Sequence, residues 1–95
     1  MASIGVITLE IRLDHAHSLK DKRHVLKGLK DRLQKRHNVA VAEIDYQDLW
    51  QRGLLAAVTV GSDRISAERT LRSVEKEATA VLGPCLTNVA VEWLH

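Results

Sequence analysis

Cysteine and proline each occur once, phenylalanine is absent, and the aromatic side chains are Tyr46, Trp50 and Trp93. A lone Cys85 excludes an intrachain disulfide, argues against a cysteine-built metal cage, and suits a reduced, cytoplasmic setting. So few aromatics mean that any core must be aliphatic. No apolar run approaches the roughly 20 residues that a membrane-spanning helix needs. The N-terminal MASIGVITLEIRL lacks a basic start and carries Glu10 and Arg12 inside its apolar run, which argues against a signal peptide. A nucleophile elbow and a phosphate-cradling glycine loop are both missing. The expectation is a protein without catalytic residues and without a cofactor.

What the chain does have is ordinary for a globular protein: 45% apolar and 27% charged residues over a length of 95, enough for one domain, 1–95. A chain of this size buries about 60–70% of its unfolded surface, so one core must serve every element.

Residues 4–13 alternate, placing Ile7, Leu9, Ile11 and Leu13 on one face of a strand and Val6, Thr8, Glu10 and Arg12 on the other. Ser18, with Asp21 three residues on, forms a helix-capping signal. Val25, Leu26, Leu29 and Leu33 then recur at helical spacing, with Gly28 at the margin of that arc as a place for a close neighbour. Asn38 is expected to end the helix in the left-handed conformation. A second strand follows over 39–45, where Val39/Val41 and Ala40/Ala42/Ile44 compete for the buried face. The third spans 54–61. Ser62 or Asp63 caps a second helix, whose stripe reads Leu71, Val74, Ala78 and Val81, with Ile65 at its entrance. Gly83-Pro84 ends it, and residues 86–94 close the chain as a strand with Val89, Val91 and Trp93 on one face.

Strand, helix, strand, strand, helix, strand predicts an α+β, ferredoxin-like βαββαβ sandwich. Its antiparallel sheet has order 4-1-3-2, with both helices on one face. In that topology the connections 14–18, 46–51 and 83–85 share one edge, so the first helix starts beside the Tyr46–Arg52 turn. The open face is expected to show Val6, Leu55 and Ala57 among Glu10, Arg12 and Thr59, a surface suited to a homodimer.

Charge is distributed unevenly. Ser18 to His37 holds eight of the fourteen Lys and Arg but two of the twelve acids, a local charge of +6 in a chain of +2. Lys20, Arg23, Lys27 and Lys30 form an outward stripe, while Lys22 points toward the apolar side to cover the sheet edge. Cations crowding a helix N-terminus oppose its dipole, so a carboxylate (Asp14, Asp21, Asp45 or Asp48) or a bound phosphate is expected there. A solvated, salt-linked helix face accounts for such a run as well as a partner does.

Two motifs carry a family resemblance: Ser-Leu-Lys-Asp-Lys-Arg at 18–23 and Asp-Leu-Trp-Gln-Arg at 48–52. With the segment order they resemble the bacterial YlxP-like family, a domain of unknown function. The resemblance implies a small cytosolic ferredoxin-like protein. Genes of that family often lie among those for transcription termination, translation initiation and ribosome maturation. Its characteristic positions correspond here to Ser18, Leu19, Lys20, Lys22, Arg23, Asp48, Leu49, Trp50, Gln51 and Arg52.

Other constellations are weaker. Asp14, His15, His17 and His24 lack the supporting ligands of a metal centre, so none is expected. Ser18 and Ser62 stand where caps are needed. Trp50, flanked by Leu49 and Leu54, is expected to turn inward, with a base-stacking platform as the alternative. Arg52 pairs with Asp45 or Asp48, or serves a ligand. The open face has no aromatics for an RNA-recognition motif, and no Gly-x-x-Gly loop supports a KH domain. The leading expectation is a non-catalytic protein binding RNA or the ribosome through Ser18, Lys20, Lys22, Arg23, Lys27, Lys30, Trp50 and Arg52. The alternative is a dimeric interaction module for an acidic protein.

Overall fold

Alternation in the first strand is satisfied nearly residue by residue: Ile7, Leu9 and Ile11 are fully buried, whereas Val6, Thr8 and Glu10 are partly open. The structure, a computed structural model, describes residues 1–95. Its elements are β1 (Ser3–Arg12), α1 (Leu19–Arg36), β2 (Ala40–Asp45), β3 (Arg52–Gly61), α2 (Arg64–Leu82) and β4 (Leu86–Trp93). The strands form one antiparallel sheet in the order β2-β3-β1-β4, the expected ferredoxin-like arrangement. Both helices lie on one face, α1 over β2 and α2 over β1 and β3, packed against each other. The core between sheet and helices is aliphatic: Ile7, Leu9, Ile11 and Leu55 meet Leu26, Leu29 and Leu33 of α1 and Leu71, Val74 and Ala78 of α2.

The starts of both helices follow from capping. Ser18 Oγ accepts the Asp21 N–H at 3.1 Å, and the Asp21 carboxylate accepts the His17 N–H at 3.0 Å, so two otherwise orphan donors are satisfied. At α2 the cap is Asp63, whose carboxylate accepts the Ser66 N–H at 2.7 Å. That bond, from the backbone, holds the Asp63 carboxyl below its usual range.

Several sequence expectations are corrected. Asn38 adopts no left-handed turn; α1 ends through extended His37, whose N–H reaches the Leu33 carbonyl at 3.0 Å. The Asn38 side chain instead donates to the Val60 carbonyl at 3.1 Å, tying the helix exit to β3. Gly28 admits no neighbour, since a Cβ there would meet nothing within 4 Å. The α2 stripe runs Ala67, Leu71, Val74, Ala78 and Leu82; Val81 is 43% exposed because Leu82 falls on the stripe in its place. Ile65, at 64% exposure, packs at no entrance.

In β2 the Val39/Val41 side faces inward and Ala40, Ala42 and Ile44 are exposed. In β3 the expected open-face residues Leu55, Ala57 and Thr59 are buried. The register pairs Leu55 with Leu9 and Ala57 with Ile7, so odd-numbered residues of both central strands share the helix side. Thr59 tolerates burial because its hydroxyl donates to the Asn38 carbonyl at 2.8 Å. The open face therefore carries Leu54, Ala56, Val58 and Val60 beside Ile4 and Val6. In β4, Val89, Val91 and Trp93 lie opposite Leu9, Ile7 and Gly5, but Val91 stays 47% exposed at the sheet edge. Trp93 sits directly over Gly5, where an added Cβ would approach its ring to 2.6 Å.

Candidate functional site

The side chain that organises the loop edge is Lys22. It belongs to the series Lys22, Leu26, Leu29, Leu33 that buries one side of α1, and it is only 1% exposed. A lysine can take such a position when its stem lies on apolar surface and its ammonium finds partners. Here Nζ donates to the Tyr46 carbonyl at 2.5 Å and lies 2.8 Å from Glu43 Oε2. Glu43 Oε2 is itself buried, and the Lys22 ammonium is its charge partner. Lys22 is thus corrected from the anion-binding set: it is spent inside the protein.

The carbonyl that Lys22 holds belongs to a residue in an unusual conformation. Tyr46 has φ 63°, the left-handed region that a bulky side chain seldom enters. Its N–H is held by Asp45 Oδ1 at 2.7 Å, and its carbonyl also accepts the Leu49 N–H at 3.0 Å. From this kink the 46–51 loop returns to β3 and is fastened to the 13–16 segment. Leu13 N–H donates to the Gln51 carbonyl at 2.9 Å, and Gln51 Nε2 to the Asp14 carbonyl at 3.1 Å. The topological expectation that these connections share an edge with the start of α1 is met by direct bonds.

At the loop's apex Leu49 is 46% and Trp50 52% exposed, which corrects the inward turn expected for Trp50. Fastened at both ends, the loop directs its apolar pair outward, and Arg12, Asp48, Gln51 and Arg52 complete a shallow recess of about 560 Å³ around them. Arg52 pairs with neither Asp45 nor Asp48. Its guanidinium donates to Glu10 Oε1 at 2.9 Å and to the Tyr46 hydroxyl at 3.1 Å, and stacks 4.1 Å from the Tyr46 ring centre. The bond to Glu10, first among these, strengthens its hold on the proton.

The basic run divides by partner. Arg32 and Arg36 both reach Glu77 of α2, at 2.5 and 3.4 Å, and His37 Nε2 lies 2.7 Å from its other oxygen. Burial pushes the Glu77 carboxyl up, but hydrogen bonds from His37 and Arg32, with the charge of Arg36, outweigh it and hold it below its usual range. Lys27 pairs with Asp31 one turn on, at 2.7 Å. Lys20, Arg23, Lys30 and Lys35 have no acidic partner. Lys20, Arg23, His24 and Lys27 border one shallow hollow on the outer side of α1, and Ser18 Oγ is occupied as the cap.

Sequence reasoning missed Glu77 and Glu10, the acids that absorb Arg32, Arg36 and Arg52. Arg32 and Arg36, four apart, share a flank of α1, and that spacing was the available sign. Glu10 needed the β1–β3 register. His15, His17 and His24 are exposed, and no three His, Cys, Asp or Glu side chains gather as metal ligands would. No helix is long and apolar enough to cross a membrane.

Comparison with known proteins places the chain in a family. The profile described as "Protein of unknown function (DUF503)" matches residues 4–83. An uncharacterized protein of Bacillus subtilis (strain 168), YlxP, is 42% identical over 71 residues, spanning 75% of this chain and 77% of that one. Among solved structures, the de novo designed protein Foldit4 superposes with TM-score 0.62 at 11% identity, covering 100% of this chain and 98% of that one. A C-terminal segment of the alpha subunit of aIF2 from Pyrococcus abyssi does so with TM-score 0.55 at 18% identity, over 99% of this chain and 50% of that one. At such identities the two solved structures share the fold alone. The YlxP-like resemblance of the two motifs is upheld: the chain belongs to the DUF503 family of proteins of unknown function.

Proposed function

We propose that this protein is a non-catalytic RNA-binding protein that docks on structured RNA, in ribosome-associated work, through the outer side of α1 and the loop edge beside it. The observation that carries this reading is the set of cations left without acidic partners. Lys20, Arg23 and Lys30 are unpaired, and Lys27 is held by one exposed i,i+4 bridge. Such bridges contribute little and are readily exchanged for phosphate contacts. Trp50, exposed on a fastened loop, adds a stacking surface whose order is already established before binding. Arg52 contributes through Tyr46 and Glu10, shaping the edge rather than meeting phosphate itself. A free Cys85 thiol suits the cytoplasm where such a partner lies.

The test is a titration with ribosomal RNA fragments at increasing salt. With about four phosphate contacts, affinity falls on the order of a hundredfold between 50 and 200 mM salt. A variant reversing Lys20, Arg23, Lys27 and Lys30 loses that binding while keeping its fold. Absence of saturable binding at low salt, or unaltered binding by the reversed variant, overturns the reading. Capture of an acidic protein that survives nuclease treatment favours the interaction-module alternative.

A further inference from the structure

We propose that the open face of the sheet is covered in solution by the same face of a second copy of this chain. The corrected register makes this face more apolar than the sequence suggested. Ile4, Val6, Leu54, Ala56, Val58 and Val60 are contiguous across the two central strands, and no helix lies over them. Soluble monomers rarely leave such a patch uncovered.

Shape and charge identify the occupant. The flanking strands add small side chains, Ala40 and Ala42 on one side and Ala90 on the other, and the one aromatic at the face, Tyr46, lies at its corner stacked on Arg52. Small and aliphatic side chains across the centre of the face offer a peptide or helix little to anchor on, but they suit another sheet packed about 10 Å away. Two central strands of ten residues flanked by strands of six and eight, at about 3.3 Å per residue and about 4.8 Å between strands, give a plan of roughly 500–600 Å². That plan is close to the ~600 Å² per partner at the small end of specific interfaces.

The charged residues of the face are Glu10, Asp45 and Glu92 with Arg12 and Arg52, mixed in sign and with Glu10 already paired to Arg52, so a copy facing itself meets no single-sign field. The α1 surface, where unpaired cations outnumber the single unpaired acid Asp21, cannot pair with its own copy in this way.

Joining copies through the β2 edge is disfavoured. Gln34 Oε1 accepts the outward Val41 N–H at 3.2 Å, Gln47 Nε2 donates to the Glu43 carbonyl at 3.4 Å, and a bulge lies between Glu43 and Asp45. Arg12 and Arg52 border both the open face and the Trp50 recess, so a copy seated on the face also frames that recess.

Sedimentation of the full chain over a wide dilution series tests the proposal. The wild type sediments at twice the 10.6 kDa chain mass and dissociates reversibly. Val58→Asp places an unpaired charge at the centre of the face and weakens association by at least about a hundredfold. Val60→Lys alters a side chain already 56% exposed, keeps the fold by circular dichroism, and weakens association by about tenfold. A wild type that is monomeric at every concentration, or a dimer that survives both substitutions, overturns the proposal; the second outcome points to the β4 edge instead.

Discussion

The two halves of α1 have nearly the same composition, and their arginines meet opposite fates. In the C-terminal half, Arg32 and Arg36, with His37 just beyond, converge on one carboxylate of α2 and hold two helices together. In the N-terminal half, Lys22 is buried as a strut, while Lys20 and Arg23 stand exposed without a salt bridge, the neighbouring Asp21 being engaged by the His17 N–H. The difference teaches that a charge run is an inventory and not a surface. What remains available is decided by which neighbouring element supplies acids, and α2 supplies Glu77 at one end only.

The largest effect belongs to the buried strut. Lys22→Met removes the ammonium while leaving the Glu43 carboxylate and the Tyr46 carbonyl behind, and costs about 3 kcal/mol in chemical denaturation. Adding Glu43→Leu recovers much of that loss, since a buried pair is weaker evidence of stability than its rupture suggests. Crossing the two halves comes next. Reversal of Lys20 and Arg23 lowers RNA affinity by about tenfold with little change in melting temperature. Arg32→Ala with Arg36→Ala lowers the melting temperature and leaves RNA affinity near wild type. Equal effects of both pairs on RNA binding would erase the distinction.

Glu77 sharpens the contrast through pH. Its carboxyl is held below its usual range in the folded protein, so it binds protons less readily there than in the unfolded chain. The stability it contributes is present above the unfolded carboxylate range, about 4, and is lost as pH falls through the depressed folded value. Glu77→Gln therefore costs about 1–2 kcal/mol near neutrality, and the gap from wild type closes in strongly acidic buffer. Smallest is Gly28→Ala, which fills open space between the two halves and stabilises by up to about 1 kcal/mol. A loss of stability there would mean that Gly28 meets something this structure does not show.

Legibility in the sequence followed the period of each element. β1 could be read because alternation over ten residues admits one burial pattern, and the segment order then led to the sheet order. The face of β3 could not: LLAAVTV is apolar at both parities, and the choice is made by pairing with β1 rather than by composition. Lys22 was legible as a side chain covering the edge, because its helical phase matches Leu26 and Leu29. Its bond to the Tyr46 carbonyl was not, since that depends on a left-handed kink at a non-glycine residue. Trp50 was misread because apolar neighbours in sequence suggest burial, whereas the loop's fastenings turn Leu49 and Trp50 outward together.

The seating of Trp93 on Gly5, with the Arg64 guanidinium 3.9 Å above its ring, has an optical consequence. One indole is partly buried against β1 and the other, Trp50, is more exposed, at the surface where a partner would arrive. Their fluorescence therefore divides by access: iodide quenches Trp50 first, and Trp93 responds when the C-terminal strand leaves β1. The protein carries two native reporters, one for encounter and one for unfolding, with no label added.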